Sequence, residues 1–356
     1  MDVIKIADSV RRAMMHALTF FVGSPGMEMK EEARAGLKRV LLCRPNGRLG
    51  NQLMITPLVQ EIAGRFPGCR IDLFVKGSLS GIIFKNYEEV DRIIELPRKP
   101  FDEPVRYVKV WLSLRRQTYD LAVNVAEGSS SGRLSTRFAR ARWRFYNNTE
   151  GLSEALCPGS GHMAKCPVYN FRRYLACPWR EITQTPVPPL NLRLSDAELA
   201  NGRKVMNSYV SPAKKTICIY TFATGSKCYS EAWWAAMYAR LKEACGDAFN
   251  ILEVLPAENV SRIRFEAPAY YSKDVREIAA VIAGSALFLG ADSGIMHLAA
   301  SSGAPVAGLF SITDPSVYRP YGGHNLAIDT NTTDVDGIIA ALNRILNDNA
   351  YLAPSN

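Results

Sequence analysis

The chain has 356 residues, 47% of them hydrophobic and 22% charged, and a formal net charge of +9. That composition is globular, and the length calls for two cores of roughly 150 to 190 residues. No run approaches the roughly 20 apolar residues of a membrane span, which excludes an integral helical membrane protein, and the basic balance points to anionic partners without choosing among them.

In the first 36 residues Val10, Met14, Leu18 and Phe21 recur at helical spacing, with Arg11, Arg12 and His16 elsewhere around the helix. An amphipathic helix of that kind can lie on an anionic membrane surface or pack on the body of the protein. No signal peptide is read there. Residues 39–43 then form the first apolar strand, and Gly47 and Gly50 allow the tight turn that follows it. Thr56 and Pro57 open a helix with Leu58, Ile62 and Phe66 on one face. Strands over 71–75, 90–96 and 119–123 continue the pattern, and strand-like runs separated by helices predict an open parallel sheet.

Residues 128–144 hold the densest basic cluster: Arg133, Arg137, Arg140, Arg142 and Arg144. These arginines can bind phosphates or form a solvated helix face. The interleaved Trp143, Phe145 and Tyr146 permit nucleic-acid stacking, but no nucleic-acid-binding module accompanies them. Residues 147–190 read as loops around one short helix, and the proline-rich run near 185–190 suits a linker. Ser195, three residues ahead of Glu198, is a helix N-cap. The eight cysteines include no CxxC pair, so they predict buried thiols and no metal site.

A second run of the same kind starts with a strand over 216–220 and a loop ending at Glu231, followed by a helix over 233–245. A strand over 251–255 carries Glu253, and a helix over 275–283 precedes the apolar run 287–289. The turn 290–294 leads from that strand into a helix beginning at Ile295, and the run 305–310 ends in Ser311, Thr313 and Asp314. Asp292 and Ser293 therefore sit at the carboxyl edge of a parallel sheet, where ligands of α/β proteins bind. The amides of Ser293 and Gly294 would face an anion there. Ordinary N-capping accounts for the same residues, and His297 can be a core histidine. A strand over 327–329 and a helix over 333–346 close the pattern.

The motifs Asp292-Ser293-Gly294, His297, Ala299-Ala300, Thr313-Asp314-Pro315 and Pro320-Tyr321-Gly322 resemble the signature of the lipopolysaccharide heptosyltransferases, the ADP-heptose-using glycosyltransferase family 9. Arg44, Leu49, Gly50, Thr56 and Pro57 resemble that family's first glycine-rich loop. The resemblance spans about 38–345. It implies an α/β fold of GT-B architecture, two Rossmann-like domains facing across a cleft. The divisions would be a helical extension over 1–36, an acceptor domain over 37–185, a donor domain over 186–330, and over 331–356 a C-terminal helix that can pack back on the first domain.

The implied activity is inverting, metal-independent transfer of heptose from ADP-heptose to a Kdo or heptose hydroxyl of the inner core. No cofactor or nucleic acid is implied. The partners would be a nucleotide sugar and an anionic glycolipid, in the cytoplasm or on the inner-membrane surface. The alternatives are a related transferase using another sugar or acceptor, and a non-catalytic binding homologue. Carried over onto this chain, Thr224, Gly225, Ser226, Lys227, Glu253, Asp292, Ser293, Gly294, His297, Thr313 and Asp314 would bind the donor. Arg48, Asn51, Gln52, Arg133 and Arg137 would bind the acceptor. Asn51, Lys227 and Asp292 occupy the positions tied to catalysis. Asn51 stands where the family has an aspartate base, and an amide cannot accept a proton from a sugar hydroxyl. Asp72 and Asp120 are nearby carboxylates. Lys227-Cys228-Tyr229 also departs from the family's frequent Lys/Arg-Trp pair.

Overall fold

The computed structural model describes residues 36–98, 102–147, 157, 159–322 and 324–347. The N-terminal helix expected around residues 10–21 lies outside them. The chain divides into two compact units between Pro188 and Pro189.

The first unit is built on five parallel strands, β1 (Arg39–Arg44), β2 (Arg70–Lys76), β3 (Val90–Leu96), β4 (Tyr119–Asn124) and β5 (Ala141–Phe145), in the order β3-β2-β1-β4-β5. β1 is buried over most of its length, as expected of a parallel strand covered on both faces. Helices α1 (Leu49–Leu53), α2 (Thr56–Arg65), α3 (Leu79–Ile83), α4 (Pro104–Ser113) and α5 (Ser130–Phe138) connect the strands. The basic stretch after β4 is thus not one helix face. It is split between α5 and the edge strand β5, where Arg144 donates from Nε to the Thr136 carbonyl (3.3 Å) and from Nη2 to that of Ala139 (3.0 Å), capping α5.

Two further helices, α6 (Cys166–Tyr174) and α7 (Trp179–Gln184), order the stretch expected to be mostly loops. Arg172 of α6 is fully buried and grips Glu61 of α2 with Nε to Oε1 and Nη2 to Oε2, both 2.8 Å. Its Nη1 also donates to the Thr185 carbonyl at 2.6 Å. Burial pushes the Glu61 carboxyl up, but the hydrogen bonds from Arg172 and Arg65 outweigh it and hold the group below its ordinary range. The first unit is therefore closed by a charge pair with its partners in place.

The second unit has six parallel strands, β6 (Lys215–Tyr220), β7 (Phe249–Val254), β8 (Ala269–Tyr270), β9 (Leu287–Ala291), β10 (Val306–Phe310) and β11 (Leu326–Asp329). Their order is β11-β10-β9-β6-β7-β8. Around them stand α8 (Asp196–Tyr209), α9 (Glu231–Cys245), α10 (Val275–Ala283), α11 (Gly294–Ser301), α12 (Pro315–Tyr318) and α13 (Val335–Asn347). α8 begins with the expected capping box: Ser195 accepts from the Glu198 amide, and Glu198 accepts from the Ser195 amide. Glu198 then reaches Arg276 of α10 through Nε (2.6 Å) and Nη2 (2.8 Å). The apolar side of α13, including Ile338, Leu342 and Ile345, is taken up in this unit's own core with Trp234 and Leu241 of α9.

All eight cysteines are free. Among the described residues no group of His, Cys, Asp or Glu stands together that could hold a metal, and no helix is long and apolar enough to cross a membrane.

Candidate functional site

In the second sheet the chain starts at β6, adds β7 and β8 on one side and then β9, β10 and β11 on the other. The loops leaving β6 and β9 therefore diverge at their carboxyl ends, which opens the crevice that binds ligands in such sheets. β6 and β9 are paired up to Tyr220 and Gly290. Asp292 follows directly after β9, and its side chain is only 5% exposed.

Three elements converge on that carboxylate. Lys227 Nζ, from the loop after β6, stands 3.0 Å from Asp292 Oδ2. The Thr313 hydroxyl, from the loop after β10, donates to the same oxygen at 2.7 Å. His297 Nε2, in the first turn of α11, lies 3.7 Å from Oδ1. The main chain is fixed as well, since the Asp292 amide donates to the Leu309 carbonyl at 2.9 Å. Asp292 thus ties three loops to one point, and Lys227, 30% exposed in its side chain, retains a face toward solvent.

The two readings of Asp292 and Ser293 separate here. Ser293 is the N-cap: its hydroxyl accepts from the Met296 amide at 3.2 Å. Asp292 does not cap and is spent on the cross-loop contacts. The amides of Gly294 and Ile295 lie in the first turn of α11, ahead of the helix's own i−4 acceptors, so they are suited to an anion. Lys227 closes a short 3-10 turn, Gly225–Lys227, in which Gly225 has φ +68°. A residue with a Cβ would be strained at that position. Thr224, Gly225 and Ser226 are exposed beside the turn.

One of the expected donor residues is placed otherwise. Glu253 of β7 is fully buried, and its Oε1 accepts from the Thr221 hydroxyl at 2.6 Å. It supports the loop after β6 from within and does not line the crevice surface. Burial raises its pKa against the opposing pull of Thr221 and Ser261. Asp314 is exposed and caps α12, accepting from the Ser316 amide at 2.8 Å. Those hydrogen bonds hold its carboxyl below the usual range.

In the first unit the order reverses between β1 and β4, paired up to Cys43 and Asn124. Arg44 ends β1, Arg48 is the N-cap of α1, and Asn51 lies in α1. Arg44 is buried at 8% exposure, and its Nη2 donates to Asn51 Oδ1 at 3.3 Å. Arg48 is exposed. Gln52, expected to touch the acceptor, is fully buried and serves as a strut. Its Nε2 donates to the carbonyls of Asn46 (2.9 Å) and Lys76 (3.1 Å), joining the loops after β1 and β2. Arg133 of α5 is half-buried and donates from Nε to the Glu127 carbonyl at 3.0 Å, whereas Arg137 is exposed.

Asp72 and Asp120 stand at the opposite edge of this sheet. Asp120 accepts from the amides of Lys38 and Arg39, at the start of β1. Asp72 is buried against Arg39 Nη1 at 2.9 Å and the Tyr119 hydroxyl, also at 2.9 Å. Neither is near the carboxyl ends. Among the described residues of the loops that follow β1 and β4, the carboxylate is Glu127, half-buried after β4, and the sequence reading missed it. Its charge adds to burial in pushing the Cys166 thiol up to about 12. No local motif marks it; only the pairing of β1 with β4 brings its loop beside that of Asn51.

Residues 272–334 match the family described as Glycosyltransferase family 9 (heptosyltransferase), and that segment contains Asp292, Ser293, His297, Thr313 and Asp314. The fold is similar to that of a glycosyl transferase family 9 protein from Veillonella parvula, with a TM-score of 0.72 and 14% identity over 91% of this chain and 99% of that one. It is also similar to the E. coli heptosyltransferase WaaC with ADP, at TM-score 0.64 and 17% identity over 86% and 99% of the two chains. E. coli ADP-heptose lps heptosyltransferase II aligns with TM-score 0.63 and 17% identity over 88% of this chain and 99% of that one. No curated protein matches the sequence. The family 9 resemblance read from the sequence is matched over that segment, and each of the two units is a parallel-sheet α/β fold as it implied.

Proposed function

We propose that the chain is an inverting glycosyltransferase that moves heptose from ADP-heptose to a Kdo or heptose hydroxyl of the lipopolysaccharide inner core, at the cytoplasmic face of the inner membrane. The observation that carries this reading is the convergence of Lys227 and Thr313 on Asp292, the latter two lying within the segment that matches family 9. As the bond between the anomeric carbon and the diphosphate oxygen breaks, negative charge grows on the leaving phosphate. The Lys227 ammonium and the first-turn amides of Gly294 and Ile295 are suited to take that charge, and being fixed beforehand they need no reorganisation. Asp292 holds Lys227 and Thr313 in place and can receive donor hydroxyls.

The acceptor belongs to the first unit in this reading. Arg48, Arg133 and Arg137 offer cations to its anionic groups. When the acceptor hydroxyl attacks the anomeric carbon, its proton must go to a base, and Asn51 cannot be that base. Glu127 is the carboxylate assigned to it here, with Asn51 left to orient the acceptor.

The test is heptose transfer from ADP-heptose to truncated core acceptors by the wild type, Lys227→Ala and Glu127→Gln. Transfer by the wild type that collapses in both variants supports the reading. Silence of the wild type with ADP-heptose, alongside turnover of a UDP- or GDP-sugar, would establish the related transferase instead, a choice that the unusual Asn51 keeps in play.

A further inference from the structure

Helix α4 is apolar on two opposite faces. Its inner face packs Tyr107, Val110 and Trp111 onto the core of the first unit. Trp111 meets Phe74 edge-on at 5.4 Å and Phe138 at 6.0 Å. Its outer face carries Val105, Val108 and Leu112, exposed at 64%, 55% and 54%. Their spacing of three and four residues places them in one stripe, and nothing among the described residues covers it. A helix fully engaged on its inner side does not need that second stripe for folding.

The stripe is bordered by cations. No acidic residue occurs from 104 to 119, and Lys109, Arg115 and Arg116 are exposed there. Arg106 is engaged by Glu103 at 2.8 Å, the carboxylate just before the helix. The Arg115 guanidinium lies 5.5 Å over the Phe138 ring, next to the start of β5. The exposed Arg140 and Arg142 are there, and the Arg140 carbonyl accepts from the Tyr119 amide at 2.9 Å. An apolar stripe therefore runs into a field of five cations.

That charge decides among the occupants. A second copy of the same face would set these cations against their own kind. Residues 1–35 contain five acidic and five basic side chains, so they bring no net negative charge to answer the field. A lipid surface with anionic headgroups answers both parts. Valine and leucine enter the headgroup–acyl boundary while lysine and arginine meet phosphate. We propose that the outer face of α4 docks this protein on an anionic lipid surface. The face lies on the helix layer, whereas Asn51 and Glu127 stand at the strand ends, so docking leaves that crevice open. The inference deepens the reading of a lipid-borne acceptor, yet vesicle binding is measured without turnover, so either can fail alone.

The experiment is co-sedimentation of the full chain with phosphatidylglycerol-containing vesicles and with pure phosphatidylcholine vesicles, across a salt series. The expected result is at least tenfold stronger partition to the anionic vesicles, weakening as salt rises. Val108→Glu with Leu112→Glu, and separately Lys109→Glu with Arg116→Glu, should each lower it about tenfold or more. Roughly fivefold per cation removed is the usual scale. All four positions are exposed, and an unchanged melting temperature would verify that each variant is folded. Equal binding to both vesicle types, or variants that bind like the wild type, would overturn the proposal. So would a change in sedimentation coefficient in the Val108/Leu112 variant with vesicle binding intact, which would make the occupant a second copy.

Discussion

Lys227 Nζ and Asp292 Oδ2 stand 3.0 Å apart, and the contact joins the loop after β6 to the end of β9. The two ends of this pair are unequally exposed, 30% for Lys227 and 5% for Asp292. The lysine can therefore meet a ligand from its exposed side while Asp292 holds it. Lys227→Met should weaken ADP binding about tenfold to a hundredfold, the scale of one lost charge-assisted hydrogen bond. It should also lower the melting temperature, because it leaves the buried Asp292 carboxylate without its lysine partner. Titration calorimetry beside a thermal melt would measure both. An unchanged ADP affinity would remove Lys227 from the donor site.

Gly202 of α8 lies against the backbone of α10, where a Cβ would stand 2.3 Å from both the carbonyl carbon and the carbonyl oxygen of Ala280. Backbone cannot yield as a flexible side chain does, so Gly202→Ala must push the two helices apart. It should destabilise the second unit by about 1–3 kcal/mol or more, although alanine is the better helix former. A urea melt followed by the fluorescence of Trp234, buried in that unit's core, would report it. A gain in stability would mean that α8 shifts freely.

Much of this fold was legible because its strands are buried on both faces and read as plain apolar runs. The helix Val275–Ala283 has the bounds its Val/Ile/Ala pattern predicts, and Ser195 and Glu198 form the capping box their spacing predicts. β5 was hidden because an edge strand of alternating arginines and aromatics resembles a basic surface segment. Strand order is a tertiary property with no local signal, and Gln52, Glu253 and Glu127 all depended on it. Gln52 read as an acceptor contact until burial and the Asn46 and Lys76 carbonyls claimed it. Glu253 looked like a strand-end ligand until burial and Thr221 claimed it. The family motif located Asp292 and Lys227 but could not show that Thr313 shares the same carboxylate oxygen.

Arg172 and Glu61 predict an acid-sensitive first unit. Glu61 has a folded pKa below its ordinary value, so its contribution to stability is complete above the unfolded value, about 4.3. It is lost as pH falls through the lower folded value. Arg172→Met leaves the buried carboxylate with Arg65 as its remaining charged partner and should cost about 3–5 kcal/mol at pH 7. The deficit should narrow on acidification, since a protonated Glu61 no longer needs the arginine. Denaturant melts at pH 7 and pH 4 would measure the difference, and a cost independent of pH would point to lost packing alone.

Glu253 predicts the opposite sign. Its folded pKa is raised, so the group favours the folded state below its unfolded pKa. It withdraws that support as pH rises through the folded value. Glu253→Gln retains an oxygen for the Thr221 hydroxyl and removes the charge. It should match or exceed the wild type in stability at pH 7, with the difference shrinking below about pH 4.3. A large loss at neutral pH would mean that the carboxylate is held ionised by a partner that glutamine cannot satisfy.

Glu127 follows β4 and Asn51 lies in α1 after β1, on the two connections that diverge where the first sheet reverses, and only one of them can accept a proton. If Glu127 is the base, Glu127→Gln should lower kcat about a hundredfold to ten-thousandfold with little change in ADP affinity. Asn51→Asp places a second carboxylate beside Arg44 Nη2, now 3.3 Å from the Asn51 oxygen. Combined with Glu127→Gln, it should restore part of the lost rate, because the missing function is a proton acceptor and not a shape. A Glu127→Gln enzyme with normal kcat would remove Glu127 as the base. The base would then have to be sought on another element.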